Sequence, residues 1–204
     1  MTGDEAKRAV LAVGDGRGFV VQGTHERFVI TAAHCLPFLP PCTSNSFAEQ
    51  RTYKALLGSV GTEPTVWAEC LFADPIGDIA VLGPSERPDL FPAYEELTGT
   101  AATLSIVESP SETPAKLLSL DGHWFDCRVR RYGGPLWISD AAESICSRLS
   151  GSPILTMIGA QSGLYAPEVT KVTAELGLWR AAPKPGSRII YPGGCFGRPP
   201  DRTG

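Results

Sequence analysis

No stretch of the sequence approaches the roughly 18 to 20 consecutive apolar residues that a membrane-spanning helix needs, so no membrane partner is expected. A basic run is missing too. The 18 lysines and arginines are scattered among 22 acidic residues and the net charge is −4, which leaves no electrostatic footprint for a phosphate backbone and excludes nucleic acid as an expected partner. Histidine is scarce, at three residues, which narrows the choice of any general base. The six cysteines, at 35, 42, 70, 127, 146 and 195, include no pair at zinc-knuckle or redox-motif spacing, so no metal is expected and free thiols are the default. At the N-terminus, charged residues lead into an apolar stretch, 9–13, that stops at Gly14-Asp15-Gly16 and is too short for a signal-peptide core. A reducing, cytoplasmic location is the expectation that follows.

What the chain does have is punctuation. The 22 glycines and 18 prolines are spread along its length and separate short β-like runs at 9–13, 18–22, 28–32, 53–60, 65–72 and 78–82. Turn chemistry at Gly23-Thr24-His25-Glu26 and Gly61-Thr62-Glu63-Pro64 predicts hairpins. Residues 83–99, with Pro84, Pro88 and Pro92, fit neither period and read as a connector. Further β-like runs follow at 103–108, 115–120, 124–132, 136–139, 154–162 and 187–191, while 170–180 fits neither template. The class predicted is all-β. Residues 1–90 and 91–191 form its two halves, and 192–204, rich in glycine, proline and charge, form a surface or disordered tail.

Of the histidines, His25 and His123 lie in polar turns, whereas His34 directly follows the apolar strand Phe28-Val29-Ile30-Thr31-Ala32-Ala33, where a rigid element can present it to a cleft. A hydroxyl becomes a competent nucleophile when an imidazole takes its proton and a carboxylate fixes the imidazole tautomer. Asp78 opens the apolar run Asp78-Ile79-Ala80-Val81-Leu82; Asp74, before a proline, reads as a turn residue. Ser150-Gly151-Ser152-Pro153 precedes another apolar run and, taken alone, is turn-forming material.

Together the runs Thr31-Ala32-Ala33-His34-Cys35, Asp78-Ile79-Ala80-Val81-Leu82 and Ser150-Gly151-Ser152-Pro153, in this order, resemble the three signature segments of the trypsin-like (chymotrypsin-fold) serine peptidases. Gly16-Arg17-Gly18-Phe19-Val20-Val21 is similar to the strand ahead of the histidine in bacterial-type members. The resemblance implies two antiparallel β-barrels with the active site in the cleft between them. His34 and Asp78 would come from the first barrel and Ser150 from the second. It implies a serine endopeptidase acting on a protein or peptide through an acyl-enzyme at Ser150, with the backbone N–H groups of Arg148 and Ser150 as the oxyanion hole and no cofactor. Ser144, Ser162 and Gly163 would line the substrate pocket, where Ser144 suggests apolar or aromatic preference unless the carboxylates of Asp140 and Glu143 enter.

Three departures from the family pattern matter. Arg148-Leu149 stands where glycine and aspartate or asparagine are usual, and a non-glycine residue held at positive φ costs about 1 to 3 kcal/mol, so an oxyanion hole unformed at rest is expected. Substrate, or an activating partner protein, would then form it. Leu149 cannot pair with a newly cut N-terminal ammonium, so activation by N-terminal cleavage is not expected. Cys35 lacks its usual bridge partner in the preceding strand. The alternative these departures allow is a catalytically impaired domain of the same fold, acting as a peptide-binding or scaffold module. The apolar loop Leu36-Pro37-Phe38-Leu39-Pro40-Pro41 either packs on the barrel or rims the cleft.

Overall fold

The computed structural model describes residues 2–41, 48–106, 112–131 and 136–156, together with the short strands Thr173–Ala174 and Trp179–Ala181. The expected strand at 187–191, the tail 192–204 and the pocket residues Ser162 and Gly163 lie outside the described residues.

The described chain is all-β, with two helices. Helix α1, Gly3–Lys7, starts from a capping box in which the Thr2 hydroxyl accepts the Glu5 N–H and the Glu5 carboxylate accepts the Thr2 N–H. Six strands follow: β1 Val10–Val13, β2 Gly16–Gln22, β3 Arg27–Thr31, β4 Thr52–Ser59, β5 Val66–Asp74 and β6 Ile79–Gly83. They close into a barrel in the order β1-β2-β3-β6-β5-β4, with every neighbouring pair antiparallel. Both predicted turns form: Gly23 N–H donates to Glu26 O, and Gly61 takes φ +88° between β4 and β5.

Burial on two faces explains the near-continuous apolar runs in β2 and β3. Val20 and Val29 point into the barrel with Leu56, Leu57, Ala68 and Leu82. Their neighbours Phe19 and Ile30 face outward and join Ala6, Leu104 and Leu155 in a second cluster that bonds the barrel to the rest of the chain. A carboxylate is buried among the strands. The Glu69 carboxylate, fully buried, forms an ion pair with Arg51, Oε1 lying 2.7 Å from Nε, and its Oε2 accepts the Glu86 N–H at 3.0 Å. Removing its cation leaves an uncompensated interior charge, so Arg51→Met is expected to destabilise the domain by about 3 kcal/mol, read as a lower urea midpoint at unchanged slope.

Residues 91–100, expected as part of a connector, are helix α2, Phe91–Thr100. Pro92 sits in its first turn, where the missing N–H costs nothing, so the proline marks a helix start rather than a break. Tyr94 packs into the barrel cluster and its hydroxyl donates to Arg27 O, while Arg27 Nη1 caps the helix C-terminus at the carbonyls of Gly99 and Ala101. Residues just past the expected division at 90 therefore pack on the first barrel.

The second half contributes β7 Ser105–Ile106, β8 Glu112–Leu118, β9 Trp124–Arg131, β10 Leu136–Ser139, β11 Ile154–Thr156, β12 Thr173–Ala174 and β13 Trp179–Ala181. Within 170–180, which fits neither sequence template, lie β12 and the start of β13. Among the described residues these strands make an open five-stranded sheet, β11-β8-β9-β10-β13, and a β12-β7 pair, rather than a second closed barrel. Strict alternation puts Ala115 and Leu117 of β8, and Phe125, Cys127 and Val129 of β9, on one buried face with Ile138, Leu149 and Ile154.

Candidate active site

Strand β3 ends at Thr31 and turns into a single 3-10 turn, Ala33–Cys35, which lifts His34 off the barrel while Ala33 and Cys35 stay buried. Asp78 immediately precedes β6, the neighbour of β3, so sheet pairing alone brings the two residues together. The carboxylate grips His34 twice: Oδ2 lies 2.6 Å from Nδ1, and Oδ1 accepts the His34 N–H at 2.9 Å. Asp78 O also accepts the Ala33 N–H. These contacts hold Asp78 at φ +52°, a left-handed conformation that aspartate tolerates better than most residues but that still carries strain. The His34 side chain is 57% exposed and that of Asp78 is 15% exposed. With Nδ1–H directed at Asp78, the tautomer is set so that Nε2 is the basic nitrogen. Asp74 closes the turn before β6, its Oδ1 accepting the N–H groups of Ile76 and Gly77 at 2.9 Å, as a turn residue does.

Ser150 comes from the other half. It follows a 3-10 turn, Ser147–Leu149, whose Leu149 is buried in the sheet core, so leucine at 149 anchors this loop. The Ser150 carbonyl accepts the Arg17 N–H of β2 at 2.8 Å and lies 3.7 Å from Cys35 Sγ, the residue after His34. Two glycines permit this close approach. A Cβ on Gly151, which sits at φ +77°, would lie 1.9 Å from Arg17 O, and one on Gly16 would lie 2.5 Å from Cys35 Sγ and 2.9 Å from Ser150 O. The structure thus brings the Ser150 backbone against the segment that carries His34. Burial pushes the Cys35 thiol up, so it stays protonated beside this loop.

The two N–H groups named for the oxyanion hole do not both face a cleft in this conformation. The Ser150 N–H donates to Ser147 O at 3.0 Å, closing the 3-10 turn. Positive φ among the described non-glycine residues is confined to Ala55, Asp78 and Asp140, so Arg148 avoids the left-handed conformation.

Of the residues expected at the pocket, only Ser144 is among the described residues. Ser144 is exposed in the loop that leads to Ser147. The Asp140 carboxylate lies beside Arg128 and Arg130 of β9, and the Glu143 carboxylate pairs with His123 Nε2, so both are turned toward the β8–β9 hairpin. The turn that leads to Ser150 adjoins a groove of about 740 Å3 between Asp15, Glu63 and Leu120 on the hairpin tips and Ser147 and Arg148. Leu36 is buried while Phe38 and Leu39 are about half exposed, and the Phe38 ring packs on Tyr53 with centroids 4.9 Å apart, so the apolar loop packs on the barrel. Among the described residues, no three histidine, cysteine, aspartate or glutamate side chains converge to hold a metal. The residue passed over by sequence reasoning is Arg17. Its signal was visible as a single charge between two glycines at the head of an apolar strand.

No protein-family model matches the chain, and no curated protein matches it. Solved structures do. A structure from work on the coupled folding and binding of the Sesbania mosaic virus VPg protein is 15% identical with a TM-score of 0.47, covering 73% of this chain and 74% of its own. The NSP4 proteinase of equine arteritis virus is 17% identical with a TM-score of 0.42, covering 81% and 74%. The MamO protease domain of Magnetospirillum magneticum is 16% identical with a TM-score of 0.39, covering 74% and 80%. These are coarse likenesses of chain course at low sequence identity.

Proposed function

We propose that this chain is a serine endopeptidase of the trypsin-like two-barrel type that cleaves peptide bonds in a protein substrate through an acyl-enzyme at Ser150. The observation that carries the reading is the double grip of Asp78 on His34, which leaves Nε2 as base, beside a loop that docks Ser150 on the next residue, Cys35. In this reading Nε2 takes the Ser150 hydroxyl proton as Oγ attacks the scissile carbonyl. The same proton then goes to the leaving amine, and water repeats the cycle on the ester. Asp78 keeps the tautomer and stabilises the imidazolium without taking the proton itself.

Oxyanion stabilisation requires the Ser147–Arg148 peptide to turn, so that Arg148 N–H points inward and Ser150 N–H is released from Ser147 O. Substrate in the groove beside Arg148, or an activating partner protein, would supply the free energy. The four described cysteines are free thiols, which supports a reducing compartment such as the cytoplasm.

The internal use of the Ser150 N–H favours a second reading, an impaired domain that binds peptides without cleaving them. A fluorophosphonate probe separates the two. The peptidase reading expects a stable adduct on Ser150 that disappears in Ser150→Ala; an unmarked wild-type protein with a normal spectrum supports the scaffold.

A further inference from the structure

The three residues of the proposed site come from two bodies of the fold: His34 and Asp78 from the barrel, Ser150 from a loop rooted through Leu149 in the second sheet. Their alignment depends on how those bodies register. The apolar cluster between them, around Phe19, Ile30 and Leu155, supplies adhesion but little directionality. A directional link crosses the same boundary. Arg17 of β2 is 4% exposed, and its guanidinium donates from Nη1 to Leu118 O at 2.8 Å and from Nη2 to Ser119 O at 2.9 Å, at the mouth of the β8–β9 hairpin.

The backbone of the same residue holds the nucleophile loop. Arg17 N–H donates to Ser150 O, Arg17 O accepts the Thr31 hydroxyl at 2.7 Å, and Gly151 lies against that carbonyl. No carboxylate among the described residues pairs with Arg17. A buried cation answered by backbone carbonyls alone is a costly choice for stability, and burial lowers the guanidinium from its ordinary value. The hairpin it grips continues the circuit: Ser119 Oγ meets His123 Nδ1 at 2.9 Å, and His123 Nε2 meets Glu143 in the loop that runs into Ser147.

We infer that Arg17 is a positioning residue, a strut whose guanidinium sets the register of the β8–β9 hairpin against the barrel and so fixes Ser150 relative to His34. The inference rests on the serine-peptidase reading for its catalytic consequence. The strut itself stands on the contacts. Arginine suits the role because its planar fork reaches two carbonyls at fixed spacing, which the single head of lysine does not reproduce.

The test compares wild type, Arg17→Met and Arg17→Lys in two measurements. The first is fluorophosphonate inactivation resolved into kinact and KI. A misplacement of about 1 Å costs about 100-fold in rate, so kinact in Arg17→Met is expected to fall by about that factor while KI changes by less than about twofold. Arg17→Lys is expected to lie between, and carries the test if the methionine variant does not fold. The second is hydrogen exchange, expected to quicken at the amides of 147–152 and not in β4 and β5. A folded Arg17→Lys with wild-type kinact, or variants whose 147–152 amides exchange as in wild type, overturns the strut, as does exchange that quickens uniformly along the chain. Wild-type protein that takes no label instead overturns the peptidase reading, and the exchange arm then decides the strut alone.

Discussion

Asp78→Asn is expected to lower turnover about ten-thousandfold while leaving the fold intact, because an amide at this position reverses the hydrogen-bond logic of the imidazole. In the native site one carboxylate accepts twice, from Nδ1–H and from the His34 N–H. An asparagine offers one acceptor oxygen and one NH2. If the oxygen stays with the backbone N–H, the NH2 faces Nδ1 and drives the ring proton to Nε2, which then has no lone pair for the Ser150 hydroxyl. Asp78 lies at φ +52°, a conformation asparagine also tolerates, so the variant tests the tautomer without breaking the turn. Ester hydrolysis rates beside matched circular dichroism spectra measure the effect. A loss smaller than about tenfold in a folded variant would mean that the grip on His34 is structural.

Arg148→Gly is expected to act in the opposite direction. Holding a non-glycine residue in the left-handed conformation needed by an open hole costs about 1 to 3 kcal/mol, and glycine removes that cost, so acylation is expected to rise by about 5- to 150-fold. The resting contact is known: Ser150 N–H to Ser147 O within the 3-10 turn. A hole donor is worth about a hundred- to thousandfold in rate, so a small shift in the peptide's equilibrium is visible in kinact. The variant also loses a cation from the groove beside Asp15 and Glu63. Measuring kinact against a neutral probe separates this from substrate electrostatics, and an unchanged value would assign the resting turn to something other than the side chain at 148.

The barrel was legible because its strands carry redundant marks. Phe19-Val20 of β2 and Val29-Ile30 of β3 are buried on opposite faces of their strands, and glycine turns punctuate the runs, so pattern and turn chemistry agree. The helices were less so. In α2 the proline of the first turn reads like a breaker, and what holds the helix is tertiary, through Tyr94 and Arg27. Helix α1 carried a readable Thr2-x-x-Glu5 box, but its five residues offer no period to detect.

The site divides the same way. His34 and Asp78 stand at ends of neighbouring strands, so local sequence places them. The resting state of the 147–150 turn, the engagement of Glu143 with His123 and the reach of Arg17 to Leu118 and Ser119 depend on contacts between distant segments, which no local pattern encodes. Leu149 illustrates the difference. As a departure from a pattern it indicates loss of a charge pair; in the fold it is the apolar root of the turn that leads to Ser150.

The most direct measurement is a crystal structure of the protein after reaction with a fluorophosphonate. The account predicts phosphorus bonded to Ser150 Oγ, His34 Nε2 within hydrogen-bonding distance of the adduct, Asp78 still holding Nδ1, and a phosphoryl oxygen receiving the N–H groups of Arg148 and Ser150 after the 147–148 peptide has turned. An adduct on any other side chain, or one on Ser150 with the imidazole of His34 turned away, would contradict it.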